Sequence, residues 1–456
     1  MPELLVYYGE SPDAVLDQMA RAREETSRAG DQSGFLKQHA WECRKRFNTT
    51  DEPAGVRAAL TALTEGELGK KLAQMIKMIG DQPETPFAFF PAGLFYGRGA
   101  PMGRTAYLFP GQGAQYLGMG GPLAAAFPAA RRVWASLGQM RFDGTCIEEV
   151  VFPRSAAGEE AAKEAFLRLS AADWTNPCIA VAGEAIFTLL DRLGLRPSAV
   201  GAHSFGDISA LRAAGVLSAR QMIELTRCRG ELGVSCPLAT RGCILAVPES
   251  AETVRAVLDQ NGITDVWIAN YNTPTQTVLS GVREAVSRAH AAFEAEGIKS
   301  RMIPISAAPH CPLAVDVARD FAGCLEKAAF GPATCDVYSF LFGRRVPNQP
   351  GLFRKLLKAH IEKPVRFQSQ IEQMYKDGIR IFVEIGPGNM LSSLVDQILE
   401  DRPHMAVPTD HKKKDSVLAF LNAVAALFKE GLIHDLDGLG EADAEPAEGL
   451  KQALYY

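Results

Sequence analysis

Apolar positions along the chain fall into short unbroken runs separated by longer stretches with helical spacing, and the rhythm changes several times. Leu4-Leu5-Val6-Tyr7-Tyr8 is a compact apolar run closed by Gly9-Glu10-Ser11-Pro12, which predicts a strand. Ser11-Pro12-Asp13 then opens a charged helix, because a proline in the first turn gives up only an N–H that has no intrahelical acceptor. A second helix is expected from about Gly34 to Lys45 and a third after Asp51-Glu52-Pro53. A Pro/Gly-rich run from Pro83 to Gly103 closes this first unit. The unit carries no convincing catalytic constellation, and it reads as scaffold or docking surface.

From Thr105-Ala106-Tyr107-Leu108-Phe109 the pattern is that of a buried strand, followed at once by Pro110-Gly111-Gln112-Gly113-Ala114-Gln115. Helical patterns over 119–139 and 159–192 precede another interior strand, Pro197 to Gly201. Strands alternating with helices predict a largely parallel sheet covered on both faces. Residues 242–305 have their own order. Strand Cys243–Val247, helix 251–260, strands Val266–Asn270 and Thr277–Ser280, helix 282–296 and strand Arg301–Ile305 make the β-α-β-β-α-β sequence of a ferredoxin-like unit. The larger pattern resumes near 310 and contributes a further strand, Ile381–Ile385, before Gly386-Pro387-Gly388. The expected organisation is an α/β chain with an N-terminal unit (1–103), a large unit in two parts (104–241 and 306–435), an inserted small unit (242–305) and an acidic, Gly- and Ala-rich tail (436–456).

Composition narrows the function classes. The 456 residues are 47% hydrophobic, enough for more than one core, and carry a formal net charge of -5 with both signs intermixed. No basic stripe exists to neutralise a phosphate backbone, so a nucleic-acid partner is not expected. No stretch approaches 18 uncharged apolar residues, and no basic start leads into an apolar run, which argues for no membrane span or signal peptide and for a cytoplasmic protein. The nine scattered cysteines suggest free thiols rather than a disulfide framework, and none has the paired spacing of a zinc site.

The sharpest chemistry lies in Ala202-His203-Ser204-Phe205-Gly206-Asp207, between a strand ending near Gly201 and a helix running to Ala214. A serine there occupies a tight strand-to-helix turn, its hydroxyl above the sheet edge and the helix-start amides facing a developing negative oxygen. A helix-capping serine is the plain alternative. Serine needs a base to become a nucleophile. His203 adjoins Ser204 but should point away and orient the turn. His310 stands in Ser306-Ala307-Ala308-Pro309-His310-Cys311-Pro312, where the chain re-enters the large unit and prolines restrict the loop; a base and a structural histidine both remain open for it. Cys311 lacks an elbow and diverges from its neighbour, so it is not taken as a nucleophile.

Taken together, these motifs resemble the malonyl-CoA:acyl-carrier-protein transacylases and, more closely, the acyltransferase domains of polyketide synthases. The likeness runs from about Thr105 to Lys429. It rests on Gly111–Gln115, Ala202–Gly206 (Ala202 standing where the family has glycine), Arg229-Gly230, Ala269–Gln276, Pro309–Leu313, Pro364-Val365-Arg366-Phe367 and Glu384–Gly388, seven matches in the family's order. A second departure is Asp207, where a glutamate is usual.

The resemblance implies a hydrolase-like large domain and an N-terminal unit like the linker subdomain that precedes the acyltransferase. It implies Ser204 as nucleophile, His310 as base, and the amides of Gln112 and Phe205 as oxyanion donors. Arg229, with Gln112, His203 and Asn272, would lie along the substrate. A histidine oriented by a main-chain carbonyl is also implied, with Gly388-Asn389-Met390 as the matching place. A guanidinium fork fits a carboxylate, so Arg229 points to a malonyl-type acyl-CoA, unless it is a helix-surface arginine paired with Glu224 or Glu231. Ala307-Ala308-Pro309 match neither pattern associated with plain malonyl or methylmalonyl units and leave room for an unusual extender.

The acceptor would be the phosphopantetheine thiol of an acyl carrier protein in polyketide biosynthesis, with no bound cofactor or metal. No ketosynthase accompanies the motifs, which suggests a protein serving a synthase in trans or a piece of a longer one. An acyl hydrolase of the same fold and a silent docking scaffold are the competing functions.

Overall fold

The computed structural model describes residues 1–30, 34–48, 55–153, 158–303 and 308–439. Its N-terminal unit is an antiparallel sheet of β1 (Glu3–Gly9), β2 (Val56–Ala62), β3 (Phe87–Phe89) and β4 (Leu94–Arg98), in the order β1-β2-β4-β3. Ser11 caps the helix Pro12–Ala29, its hydroxyl accepting the Ala14 N–H. The helix expected directly after Pro53 begins only at Glu65; the described residues before it form β2, buried at every position. Its Val56-Arg57-Ala58-Ala59-Leu60-Thr61-Ala62 lacks alternation because both faces are covered, and such runs do not reveal their type by period alone. One cover is the helix Ser416–Lys429 from the far end of the chain. Asn422 Oδ1 accepts from Thr61 Oγ1, Arg57 Nε donates to the Lys429 carbonyl, and Phe428 packs edge-on to Phe47.

The large unit starts with β5 (Arg104–Phe109). After a small hairpin, β6 (Arg141–Phe142) and β7 (Thr145–Cys146), comes β8 (Ala199–Ala202), parallel to β5 with Phe109 opposite Ala202. The small unit contains β9 (Gly242–Val247), β10 (Val266–Thr273), β11 (Gln276–Val282) and β12 (Arg301–Ile303) in the antiparallel order β10-β11-β9-β12, with two helices between them. Residues 304 and 305 of its expected last strand lie outside the described residues. The chain then adds β13 (Asp336–Ser339) beside β8, the antiparallel edge strand β14 (Arg344–Val346), and β15 (Ile379–Glu384) and β16 (Met405–Pro408) on the far side of β5. The six-stranded order β14-β13-β8-β5-β15-β16 reverses direction around β5, so loops leaving β5, β8 and β15 open a crevice at their carboxyl ends. This is an α/β fold with a hydrolase-like sheet domain, a small inserted subdomain and an N-terminal α/β linker.

The helix Ala172–Arg192 is buried on nearly all sides and holds Pro177. Proline cannot donate to the Asp173 carbonyl four residues earlier. Arg227 Nη1 donates to that carbonyl instead, and its guanidinium also meets the carboxylates of Asp143, Asp173 and Glu231. Cys228, next along the same helix Ala219–Ser235, is disulfide-bonded to Cys324 on the helix Val315–Lys327, 96 residues later. The expectation of free thiols throughout is thus corrected for one pair, because helix packing joins cysteines that spacing leaves far apart. None of the described helices is long and apolar enough to cross a membrane.

Candidate active site

Two close approaches shape the turn after β8. A Cβ on Gly206 would stand 2.3 Å from the Phe109 carbonyl oxygen, and one on Gly111 would stand 2.7 Å from that of His203. Only glycine lets the β5 and β8 loops cross this tightly. Between them Ser204 adopts φ 57°, a left-handed conformation disfavoured for non-glycine residues. Ala202, fully buried at the end of β8, accommodates its methyl in the sheet.

Ser204 Oγ lies 2.7 Å from His310 Nε2. His310 also has a positive φ, 61°, so both members of the pair are held in strained backbone. Its amide donates to the Ile361 carbonyl. Its Nδ1 faces two carbonyl oxygens, of His360 at 2.8 Å and Lys363 at 3.0 Å. Two acceptors there require the proton on Nδ1, leaving the Nε2 lone pair to accept from the serine hydroxyl. Burial chiefly, then the charge of Arg229, holds His310 at about 3, so the imidazole is neutral at physiological pH.

Those carbonyls correct the expected anchor at Gly388-Asn389-Met390. The Gly388 N–H donates to Asp410 Oδ2, while Met390 lines the cavity. The histidine loop instead packs on the segment His360–Val365, which is pinned to the small unit: Val365 N–H donates to the Ala269 carbonyl and Tyr271 N–H to that of Val365. A carbonyl partner carries no side-chain signature, so only the tertiary structure assigns it. Glu384 orders the neighbouring loop, accepting from the Leu391 and Ser392 amides at the start of the helix Met390–Leu399.

Arg229 is buried, 8% exposed, and points into the same cavity. Its Nε donates to His360 Nε2 at 3.0 Å, its guanidinium lies over the Phe205 ring, and its other nitrogens have no hydrogen-bond acceptor among the described residues. Glu224 and Glu231 are paired with Arg220 and Arg227, which removes the surface-pair alternative. Burial draws Arg229 down to about 10, against the opposing pull of Asp207, so it stays charged near neutrality. Asp207 itself is pushed well up by burial.

Gln112 sits at the cavity wall with its side-chain amide donating to the Ser170 carbonyl. Among the described residues no acceptor takes the Phe205 or Gln112 main-chain N–H. His203 turns away from Ser204 and shares a 2.9 Å hydrogen bond with Asn272 Oδ1; Asn272 Nδ2 continues to Gln276 Oε1. Together with Ala308, Pro309, Ile244 and Leu394, these groups line a cavity of about 1070 Å³ between the sheet domain and the small unit. Sequence reasoning missed His360. Its signal was faint: a histidine four positions before the Pro364 motif.

Residues 106–432 match the model of the acyl transferase domain family. The chain is 31% identical over 304 residues to the malonyl CoA-acyl carrier protein transacylase of Bacillus subtilis, covering 65% of this chain and 91% of that protein. It is 28% identical to a polyunsaturated fatty acid synthase polypeptide of a Thraustochytrium species over 77% of its own length, but it spans only 13% of that relative. Mycoketide-CoA synthase of Mycobacterium tuberculosis is 29% identical over 82% of the chain, which spans 8% of the larger protein. Among solved structures, the acyltransferase domain from module 8 of the salinomycin polyketide synthase superposes with a TM-score of 0.76 at 22% identity, covering 94% of this chain and 96% of that one. The malonyl CoA-acyl carrier protein transacylase of Coxiella burnetii gives 0.63 at 26% identity, over 73% and 99%.

Proposed function

Because this chain belongs to the acyl transferase domain family, we propose that it moves a malonyl-type acyl group from coenzyme A to the phosphopantetheine thiol of an acyl carrier protein in polyketide biosynthesis, through an ester on Ser204. The observation that carries this is the Ser204 Oγ to His310 Nε2 contact of 2.7 Å, opening on the cavity that also holds Arg229.

In the first half-reaction Ser204 Oγ attacks the thioester carbonyl as its proton passes to His310 Nε2. The tetrahedral oxygen rests against the Phe205 and Gln112 amides, each donor supplying roughly 3 kcal/mol. Collapse breaks the C–S bond, and His310 returns the proton to the departing thiolate. The second half-reaction runs the same steps backwards with the carrier thiol as nucleophile, a ping-pong cycle. Arg229 depresses the basicity of His310, so a substrate carboxylate that neutralises the guanidinium makes the transient imidazolium easier to form. An acyl chain ending in methyl lacks this effect and leaves the fork unpaired. Ala308 and Pro309, small groups beside His310, support acceptance of a branch on the α-carbon.

Intact-protein mass after exposure to malonyl-CoA, with and without a carrier protein, tests the proposal. A malonyl adduct absent in Ser204→Ala, and passed on to the carrier, is expected. Rapid release of free malonate without carrier loading would instead identify a hydrolase.

A further inference from the structure

Resting on the carboxylate role proposed for Arg229, we infer that the His360 side chain is a positioning residue for acyl-group selection, while its main chain separately positions the base. Two hydrogen bonds leave residue 360 in different directions. Its carbonyl oxygen accepts from His310 Nδ1 at 2.8 Å, and its imidazole Nε2 accepts from Arg229 Nε at 3.0 Å. An Nε2 that accepts leaves the proton on Nδ1 and the ring neutral. Burial chiefly, then the positive charge of Arg229, also favours that form.

The ring has little freedom. It is fully buried and stacked against Phe321 (centroids 6.3 Å apart, planes 10° apart) and against Phe340 (5.9 Å, 20°); its Nδ1 makes no hydrogen bond among the described residues, Asp207 Oδ2 standing 4.0 Å away. Phe340 in turn meets His310 edge-on. A guanidinium anchored through Nε on so rigid an acceptor cannot rotate about its long axis. Its two terminal nitrogens therefore present a fork of fixed orientation to the cavity, which is what bidentate carboxylate binding requires. Without the acceptor, a buried N–H would be left unpaired and Arg229 would swing to find one.

The division between side chain and main chain makes the inference testable. Any residue at 360 retains the carbonyl that holds His310, so uncharged acyl groups should still acylate Ser204. His360→Phe keeps a stacked ring without the acceptor; His360→Asn loses the ring but offers an oxygen. Acyl-enzyme formation would be followed by rapid quench and mass measurement with malonyl-CoA and acetyl-CoA. For His360→Phe the malonyl kcat/KM should fall by about ten- to a hundredfold, mainly through KM, with acetyl changing by less than about threefold. His360→Asn should recover much of the malonyl rate.

Equal losses for both acyl groups in His360→Phe, or no recovery in His360→Asn, would overturn the inference. Arg229→Ala run alongside separates the two levels. If it leaves the malonyl-to-acetyl ratio unchanged, the carboxylate reading has failed; if it collapses the ratio while His360→Phe does not, only the role of His360 has.

Discussion

Replacing Gly206 by alanine probes whether the crossing of two sheet loops sets the geometry of Ser204, the proposed nucleophile. The added Cβ would lie 2.3 Å from the Phe109 carbonyl oxygen and 2.9 Å from both the Phe109 carbonyl carbon and the Pro110 oxygen. All three are main-chain atoms next to a central strand, so none can rotate away as a side-chain tip would. Overpacking a rigid site costs about 1–3 kcal/mol, and the upper end applies here; relief of glycine's unfolded-state entropy returns only about 0.5–1 kcal/mol. A net loss of about 2 kcal/mol is expected. The Phe109 oxygen also accepts the His203 N–H at 3.0 Å, so displacing it drags the residue before Ser204. Misaligning the adjacent Phe205 amide by one donor's worth would slow acylation by about a hundredfold or more. Gly323→Ala is the matched control, because Gly323 lies on the exposed face of the helix Val315–Lys327 with nothing inside 4 Å of a new Cβ. It should stabilise by up to about 1 kcal/mol and leave acylation unchanged. Urea unfolding and quenched-flow acylation report the two effects. A Gly206→Ala protein that matches wild type in both would refute the reasoning.

Four further outcomes are expected. Since His310 is held at about 3 rather than the usual 6.5, acylation should stay level down to about pH 5; an acid limb near 6.5 would show the base is not buried as described. By the same shift, an unfolded chain takes up a proton between those values that the native state refuses, so the stability contributed by this buried neutral ring is lost as pH falls from 6.5 towards 3, measurable in denaturant midpoints. Cys324→Ser should lower unfolding free energy by up to about 4.7 kcal/mol without reductant, the chain-entropy value for a loop of about 100 residues, and by little with it, and a thiol count of nine in unreduced protein would contradict the bond. Glu384→Ala, which strips two amides and the Ser392 hydroxyl of their buried acceptor, should cost about 2 kcal/mol or more; unchanged unfolding would argue that the helix start is satisfied otherwise.

Local order was legible in the residues themselves. The small unit's six elements follow from runs and turns a few residues apart, and the bend at Ser204 is written by the small residues that let backbones pass. The strand Val56–Ala62 was less legible because burial on both faces erases alternation, and its cover comes from a helix more than 350 residues later. The partners of His310 are carbonyl oxygens, which every residue possesses, so no pattern of side chains could select His360 and Lys363 over Gly388. The Arg229–His360 bond and the Cys228–Cys324 bridge do join side chains, but across 131 and 96 residues that no local pattern links. Sequence determined most of the elements and the turns that carry the candidate reactive groups, because those depend on neighbours along the chain. Tertiary structure alone decided which acceptor each buried donor meets, because hydrogen bonds act over about 3 Å of space and take no account of distance in sequence.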